Sequence, residues 1–241
     1  MSPKLIAVFC CAGLLASAEN IPITSRILAF DSKVVVRKNR DLEVRERIEI
    51  ANDDGSFDTG LHRYLSVKRA NQQRPKPGSI ESIRAKVDGR DAQVTTEQAD
   101  SFHIGIPAES ASWSRGNHII ELSYTAKNQF SVYDSFEDLN ENITGAWSVP
   151  IEKAVVELNF PAGVPPRLSI SADSGSDASI HFDCVRTELP LGIRFETTYP
   201  IPPNDRLFIS ARFMQKGYFA SDAADGGLHV TFEKSLLSPA M

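Results

Sequence analysis

The residues best suited to chemistry are four carboxylates that form the one dense acidic cluster of the chain: Asp134, Glu137, Asp138 and Glu141. Carboxylate oxygens are the ligands that Ca²⁺ prefers, and two carboxylates at a suitable separation can act together in a glycoside hydrolase. A polar loop that flanks an interior tryptophan, Trp147, accounts for the same residues without any chemistry. We favour the polar loop and keep the carboxylate enzyme as the alternative.

The same segment is our candidate interaction surface, which consists of Asp138, Asn140, Glu141, Asn142 and Trp147. The stretch from Asp138 to Asn142 predicts an acidic, asparagine-rich turn. Glycine at position 145 lets the backbone bend, and Trp147 supplies a large apolar anchor. We therefore expect the corner of a β-sandwich here, not a catalytic loop.

Other patterns of catalytic or cofactor-binding residues are missing from the sequence. The five histidines are scattered, and no two have the sequence spacing of metal ligands: His62, His103, His118, His181 and His229. There is no G-x-S-x-G elbow and no Walker or Rossmann glycine pattern. The prediction is therefore no cofactor, no metal and no enzymatic activity.

The elements that position these residues are short strands. Between Asp41 and Ala51 apolar and charged residues alternate, which predicts a strand with one buried face. Glu46 lies on the apolar face of this strand, and a buried carboxylate needs a partner because its desolvation is costly. We predict an ion pair between Glu46 and Arg63 that fixes the following loop, with a functional carboxylate at position 46 as the alternative.

Many strands of this kind, with turn signals at close spacing and no long amphipathic helix, predict an all-β fold built as an antiparallel β-sandwich. A change of composition near Gly163 indicates an internal boundary. We expect a sandwich domain over residues 25–161 and a smaller β unit over residues 162–217 that packs on it. Residues 218–241 are predicted to be a loose tail.

The N-terminal residues 1–18 predict a secretory signal peptide. Lys4 is its charged region, Leu5–Leu15 its apolar region, and Ala16–Ala18 a small-x-small cleavage site. The apolar run is too short to cross about 30 Å of hydrocarbon comfortably, and no later segment is longer, so we expect no transmembrane helix in the mature chain. Cleavage would leave Cys184 as the single cysteine, which predicts no intramolecular disulfide. We expect an exported chain, periplasmic or extracellular, with or without association with the envelope.

Several ordered pieces of the chain resemble the extracytoplasmic N-terminal region of YciQ-like predicted membrane proteins, a family catalogued as a domain of unknown function. The pieces are Leu42–Glu46, Gly60–Arg63, Val87–Gly89, Ile120–Tyr124, Asp138–Trp147, Val149–Ile151, Phe160–Val164 and residues 205–217. The resemblance implies a β domain outside the cytoplasm. Family members usually continue into transmembrane helices, so it also implies either a stand-alone exported outer domain or a truncated gene. It implies no particular activity.

The charge balance narrows the choice of partner. The chain has 26 basic and 31 acidic residues, a net charge of −5, which argues against nucleic acid or an anionic membrane as the main partner. We expect a non-enzymatic binding domain of the cell envelope, whose partner is an envelope protein or a glycan. The alternatives are a glycoside hydrolase-like enzyme that uses carboxylates near positions 134–141, and a structural outer domain that has lost its membrane half.

Overall fold

The computed structural model describes residues 24–66, 73, 77–99, 101–163, 167–176, 179–181, 184–214 and 219. The predicted signal peptide, residues 1–18, lies outside this part of the chain. The described residues form sixteen strands, numbered in chain order, and one short 3-10 helix, Ala108–Ser110. The prediction of an all-β sandwich is confirmed.

The largest sheet has eight strands. In order across the sheet they are β14 (Cys184–Leu189), β15 (Gly192–Thr197), β11 (Ala154–Asn159), β1 (Arg26–Val36), β2 (Leu42–Asn52), β8 (Gly116–Lys127), β4 (Ser79–Val87) and β5 (Arg90–Ala92). Strands β1 and β11 run parallel, with Phe30 opposite Ala154. The other strand pairs of this sheet are antiparallel.

Two smaller sheets pack against one face of the large sheet. The five-stranded sheet contains, in order, β13 (Ser179–His181), β12 (Arg167–Ser176), β16 (Arg206–Phe213), β10 (Glu137–Asn142) and β9 (Phe130–Val132). The three-stranded sheet contains β3 (Gly60–Ser66), β7 (Ser101–Pro107) and β6 (Thr95–Gln98). The buried apolar side chains of all three sheets form a single core.

Strand β2 shows why the sequence folds in this way. Its apolar residues Leu42, Val44, Ile48 and Ile50 are all buried, as their alternation with charged residues predicts. Burial of one such side chain contributes about 1.5–3 kcal/mol. The one polar residue on this face, Glu46, is 3% exposed and needs a partner inside the core.

In the part of the chain that the structure describes, the strands after Gly163 do not form a unit of their own, which differs from the predicted boundary. Strand β15 pairs with β11 in the large sheet, and β16 pairs with β10 in the five-stranded sheet. Both partners come from the segment before residue 161, so late strands extend sheets that earlier strands begin. Such pairings join residues that are far apart in sequence, so local composition does not reveal them.

The segment predicted to be a loose tail contains a residue near its start that is anchored in the core. Phe219 is fully buried, and its ring centroid lies 4.6 Å from that of Phe130 and 4.9 Å from that of Phe213. The rest of residues 218–241 lies outside the described part of the chain.

Candidate functional site

A buried ion pair links the large sheet to the three-stranded sheet. Arg63 on β3 donates from Nε to Oε2 of Glu46 at 3.0 Å and from Nη2 to Oε1 of Glu46 at 2.8 Å. Tyr124 on β8 donates its hydroxyl to the same Oε1 at 2.8 Å. Glu46, Arg63 and Tyr124 are called the buried cluster below. The sequence predicts the Glu46–Arg63 pair, and the structure places the two side chains in contact.

Two backbone carbonyls complete the surroundings of Arg63. Its Nη2 donates to the carbonyl of Ile143, just after β10, at 2.5 Å, and its Nη1 donates to the carbonyl of Tyr64 at 2.8 Å. Since β2, β3 and β10 belong to three different sheets, one guanidinium ties the three sheets together. Arginine suits this position because its planar group presents five N–H donors in a fixed geometry.

The electrostatics of the buried cluster fix the protonation states of Arg63 and Tyr124. Burial opposes the charge on Arg63, but the Glu46 carboxylate outweighs burial and raises the pKa of Arg63 above its usual value. Burial and the charge of Glu46 also raise the pKa of Tyr124 well above its usual value. The guanidinium therefore stays charged and the phenol stays protonated near neutral pH. Neither group has a pKa near the working pH, as a general acid or base needs.

A small cavity lies next to the buried cluster. Its volume is about 30 Å³, and Glu46, Tyr124, Ser32 and Gln129 contribute to its lining together with apolar residues such as Val44. A cavity of this size holds one or two water molecules. It is far too small for a sugar or a peptide.

The four carboxylates of the acidic cluster do not converge on one point. Most of their segment is strand β10 rather than the predicted turn, and neighbouring residues on a strand point to opposite faces. Glu137 is fully buried and pairs with Arg40 at 3.0 Å. Asp138 accepts two hydrogen bonds from Arg212, at 2.7 and 2.8 Å. Glu137 and Asp138 therefore do not face a common sugar, as the two carboxylates of a glycoside hydrolase must.

The structure separates the five residues of the predicted interaction surface. Trp147 is 7% exposed, and its indole N–H donates to the carbonyl of Thr144 at 2.7 Å while its ring meets Phe30 edge to face. Asp138 is 6% exposed. Because both side chains lie inside the protein, neither can present itself to a partner, which corrects the prediction for these two positions. The remaining three residues are exposed or half-buried: Asn140, Glu141 and Asn142.

A buried histidine forms a second charged contact, near the start of strand β8 in the large sheet. His118 on β8 has Nδ1 2.8 Å from Oδ2 of Asp88 and Nε2 2.8 Å from the carbonyl oxygen of Ser114. Both partners are acceptors, so both ring nitrogens must carry a proton and the imidazole is charged. Burial opposes this charge, but the hydrogen bonds to Asp88 and Ser114 outweigh burial and raise the pKa of His118 above its usual value.

We expect His118 to make the stability of the domain depend on pH. A group whose pKa is raised by folding stabilises fully below its unfolded value, about 6.5, and this stabilisation is lost as the pH rises through the folded value. The change His118→Gln should therefore lower the free energy of unfolding more at about pH 6 than at about pH 9. Urea denaturation of both chains at the two pH values measures the difference. An equal cost at both would contradict a charged histidine.

Sequence reasoning missed one cluster, a pair of imidazoles on the outer face of the three-stranded sheet. Tyr64 on β3 lies opposite His103 on β7, and this register brings His62 beside His103. His62 Nδ1 and His103 Nε2 are 3.0 Å apart, and the Tyr64 ring stacks on His103 with centroids 4.7 Å apart. Burial, together with the neighbouring His62, lowers the pKa of His103. The two histidines are 41 positions apart in sequence, so the strand register is the one signal that could have revealed them.

These observations define the class of the protein as an all-β sandwich domain whose interior charges are engaged in ion pairs between strands and sheets. The chain belongs to the family described as predicted membrane protein (DUF2207) N-terminal domain, whose model matches residues 26–234. The family predicted from the sequence is thereby confirmed. In the part of the chain that the structure describes, no helix has the length and hydrophobicity needed to cross a bilayer. A comparison with curated proteins finds no match.

Solved structures with some likeness to this fold include zinc peptidases and related hydrolases. Yeast LTA4 hydrolase is 12% identical with a TM-score of 0.48, and the match covers 78% of this chain and 29% of the hydrolase. An M1 zinc metallopeptidase from Deinococcus radiodurans is 12% identical with a TM-score of 0.41, over 77% of this chain and 42% of the peptidase. The chain thus spans less than half the length of either protein.

Proposed function

We propose that this chain is an exported outer domain that binds a component of the cell envelope, an envelope protein or a glycan, without catalysing a reaction. The observation that carries the proposal is the state of the buried cluster. Its carboxylate accepts from Arg63 and Tyr124, and its guanidinium donates to Glu46 on β2, to the carbonyl of Tyr64 on β3 and to the carbonyl of Ile143 just after β10. A carboxylate and a guanidinium with these hydrogen bonds stabilise the fold and have few donors or acceptors left to bind a substrate.

The acidic cluster supports the same proposal. Glu137 and Asp138 each pair with an arginine from a distant part of the chain, Arg40 and Arg212 respectively. These carboxylates stabilise the packing of β10 instead of activating water or a sugar. The rival hydrolase would need two carboxylates that face the same open space.

The outer side of β10 is the surface that we assign to binding. Asn140 is exposed at the centre of this strand, and Asn142 lies on the same face with partial exposure, while Glu141 points to the opposite face and lines the small cavity. Amide side chains both donate and accept hydrogen bonds, which suits the hydroxyl groups of a glycan as well as the backbone of a protein. The ion pair between Asp138 and Arg212 lies beside Asn140 on the same face and joins β10 to β16.

The test is recovery of the partner from living cells. The full chain with a C-terminal tag is expressed, cells are cross-linked and fractionated, and the cross-linked envelope component is quantified. We expect Asn140→Arg to reduce recovery at least about tenfold, because a bulky charge at the centre of a contact surface removes a hot spot. A glycan screen with the same two chains covers a carbohydrate partner.

The matched control is Lys86→Ala, an exposed position on β4 of the large sheet. This variant should recover the component as the unchanged chain does. Equal recovery by Asn140→Arg and Lys86→Ala would refute the assigned surface. Recovery of the chain from the cytoplasm with its first eighteen residues intact would refute export.

A further inference from the structure

We propose that His62 and His103 form a surface site for a divalent transition-metal ion, with Cu²⁺ as the preferred ion. The two imidazoles lie on neighbouring strands of the three-stranded sheet and present Nδ1 of His62 and Nε2 of His103 to each other at 3.0 Å. Imidazole nitrogen is a preferred ligand of Cu²⁺, Zn²⁺ and Ni²⁺. This site is independent of the binding surface assigned to β10.

The affinity order of the divalent ions selects among the metals. The 3.0 Å between the two nitrogens is a hydrogen-bond distance, and it changes when His62 turns toward the ion. Square-planar and tetragonal geometry is typical of Cu²⁺ and Ni²⁺, and Cu²⁺ binds nitrogen ligands more tightly than Ni²⁺ or Zn²⁺.

The surrounding side chains hold the pair in place. The Tyr64 ring stacks on His103 and restricts its rotation. Gly105 lies opposite His62, where a Cβ would meet Thr95 Oγ1 at 2.5 Å and would touch the His103 ring at an ordinary contact distance of 3.4 Å.

The local charge also favours a cation. Glu97 lies directly opposite His103 on β6, and its negative charge acts on that ring. Among the described residues no group of three or more histidine, cysteine, aspartate or glutamate side chains is placed to hold a metal. The proposed site therefore rests on two protein ligands from the described residues, His62 and His103.

Metal binding requires one proton to move within a ring. In the metal-free protein one imidazole donates an N–H to the other, so one of the two facing nitrogens carries a hydrogen. When that imidazole carries its proton on its other ring nitrogen, both facing nitrogens offer a lone pair to the ion. The two rings are only 17° from parallel. A rotation of the exposed His62 side chain turns the Nδ1 lone pair away from His103 and toward an ion that lies beside both rings.

The experiment uses the full chain without a histidine tag and CuSO₄ in glycine-buffered solution. Calorimetry should show one copper site. Its affinity should fall at least about tenfold in His62→Ala and in His103→Ala, because one imidazole alone binds the ion more weakly than two imidazoles held side by side. The electron paramagnetic resonance spectrum of the unchanged chain should show two equatorial nitrogens, and each variant should lose one. ZnCl₂ should bind more weakly than CuSO₄.

The control variant is His118→Gln, which removes a buried histidine outside the proposed site and should leave copper affinity within about threefold. Circular dichroism establishes that each variant is folded. Copper affinity that is the same in the unchanged chain, His62→Ala and His103→Ala would overturn the proposal. A spectrum with the same nitrogen pattern in all three chains would overturn it as well.

Discussion

Replacing Arg63 by alanine is expected to lower the free energy of unfolding by about 3–5 kcal/mol, because it leaves the Glu46 carboxylate buried without its cationic partner. The side chain is 1% exposed, and it donates to Glu46 and to the carbonyls of Ile143 and Tyr64. Those two carbonyls lose their donor at the same time. Urea denaturation followed by circular dichroism measures the loss.

The matched control for this prediction is Arg186→Ala. Arg186 also pairs with a glutamate, Glu188, but both side chains are about half exposed. Exposed ion pairs contribute between about 0 and 1 kcal/mol. If Arg63→Ala cost no more than Arg186→Ala, the buried cluster would not hold the sheets together.

The second large effect is expected for Gly60→Ala at the start of β3. Gly60 has a φ of +104°, and a Cβ there would lie 2.2 Å from the carbonyl oxygen of Ile106 on the neighbouring strand β7. The obstacle is backbone, so β3 must move away from β7, and Arg63 moves with it. We expect a loss of about 2–5 kcal/mol, from the left-handed backbone together with the steric clash.

Gly89→Ala separates the two causes of that loss. Gly89 also has a positive φ, +76°, but nothing lies within 4 Å of a Cβ at this position. Its replacement should cost only the backbone strain, about 1–2 kcal/mol. Denaturation curves for both variants give the two values, and equal losses would show that the contact with Ile106 is relieved at no cost.

The parts of the fold that the sequence reveals are those with local periodicity. The alternation in β2 predicts its buried face, and the single break in that pattern, Glu46, predicts a buried partner. Arg63 is the partner that the sequence predicts, because a desolvated carboxylate requires a cation and this arginine follows in the segment expected to be the next loop. The distant donors and acceptors of the cluster, Tyr124 and the Ile143 carbonyl, depend on how the three sheets pack and have no signal of this kind.

The prediction of a turn in the segment around β10 is wrong for a related reason. Aspartate, asparagine and glutamate have low strand propensity, so the stretch from Asp138 to Asn142 indicates a turn. It is nevertheless a strand, because β16 pairs along its whole length and Arg212 neutralises Asp138. Tertiary pairing thus outweighs local preference here.

The histidine pair and the division of the chain were missed because both depend on strand register. His62 and His103 meet because β3 and β7 pair with a particular alignment. The chain after Gly163 joins both larger sheets because β11 and β10 offer edges to β15 and β16. Neither alignment can be derived from composition or spacing.

We propose that the Glu46 carboxylate stabilises the fold and takes no part in binding. The most direct test is envelope cross-linking of Glu46→Gln, which removes the charge and keeps the shape. Unfolding by urea is measured in parallel, under conditions where circular dichroism shows both chains folded. The account predicts a lower free energy of unfolding with recovery of the envelope component unchanged. A folded Glu46→Gln chain that no longer recovers the component would contradict it and make Glu46 a functional residue.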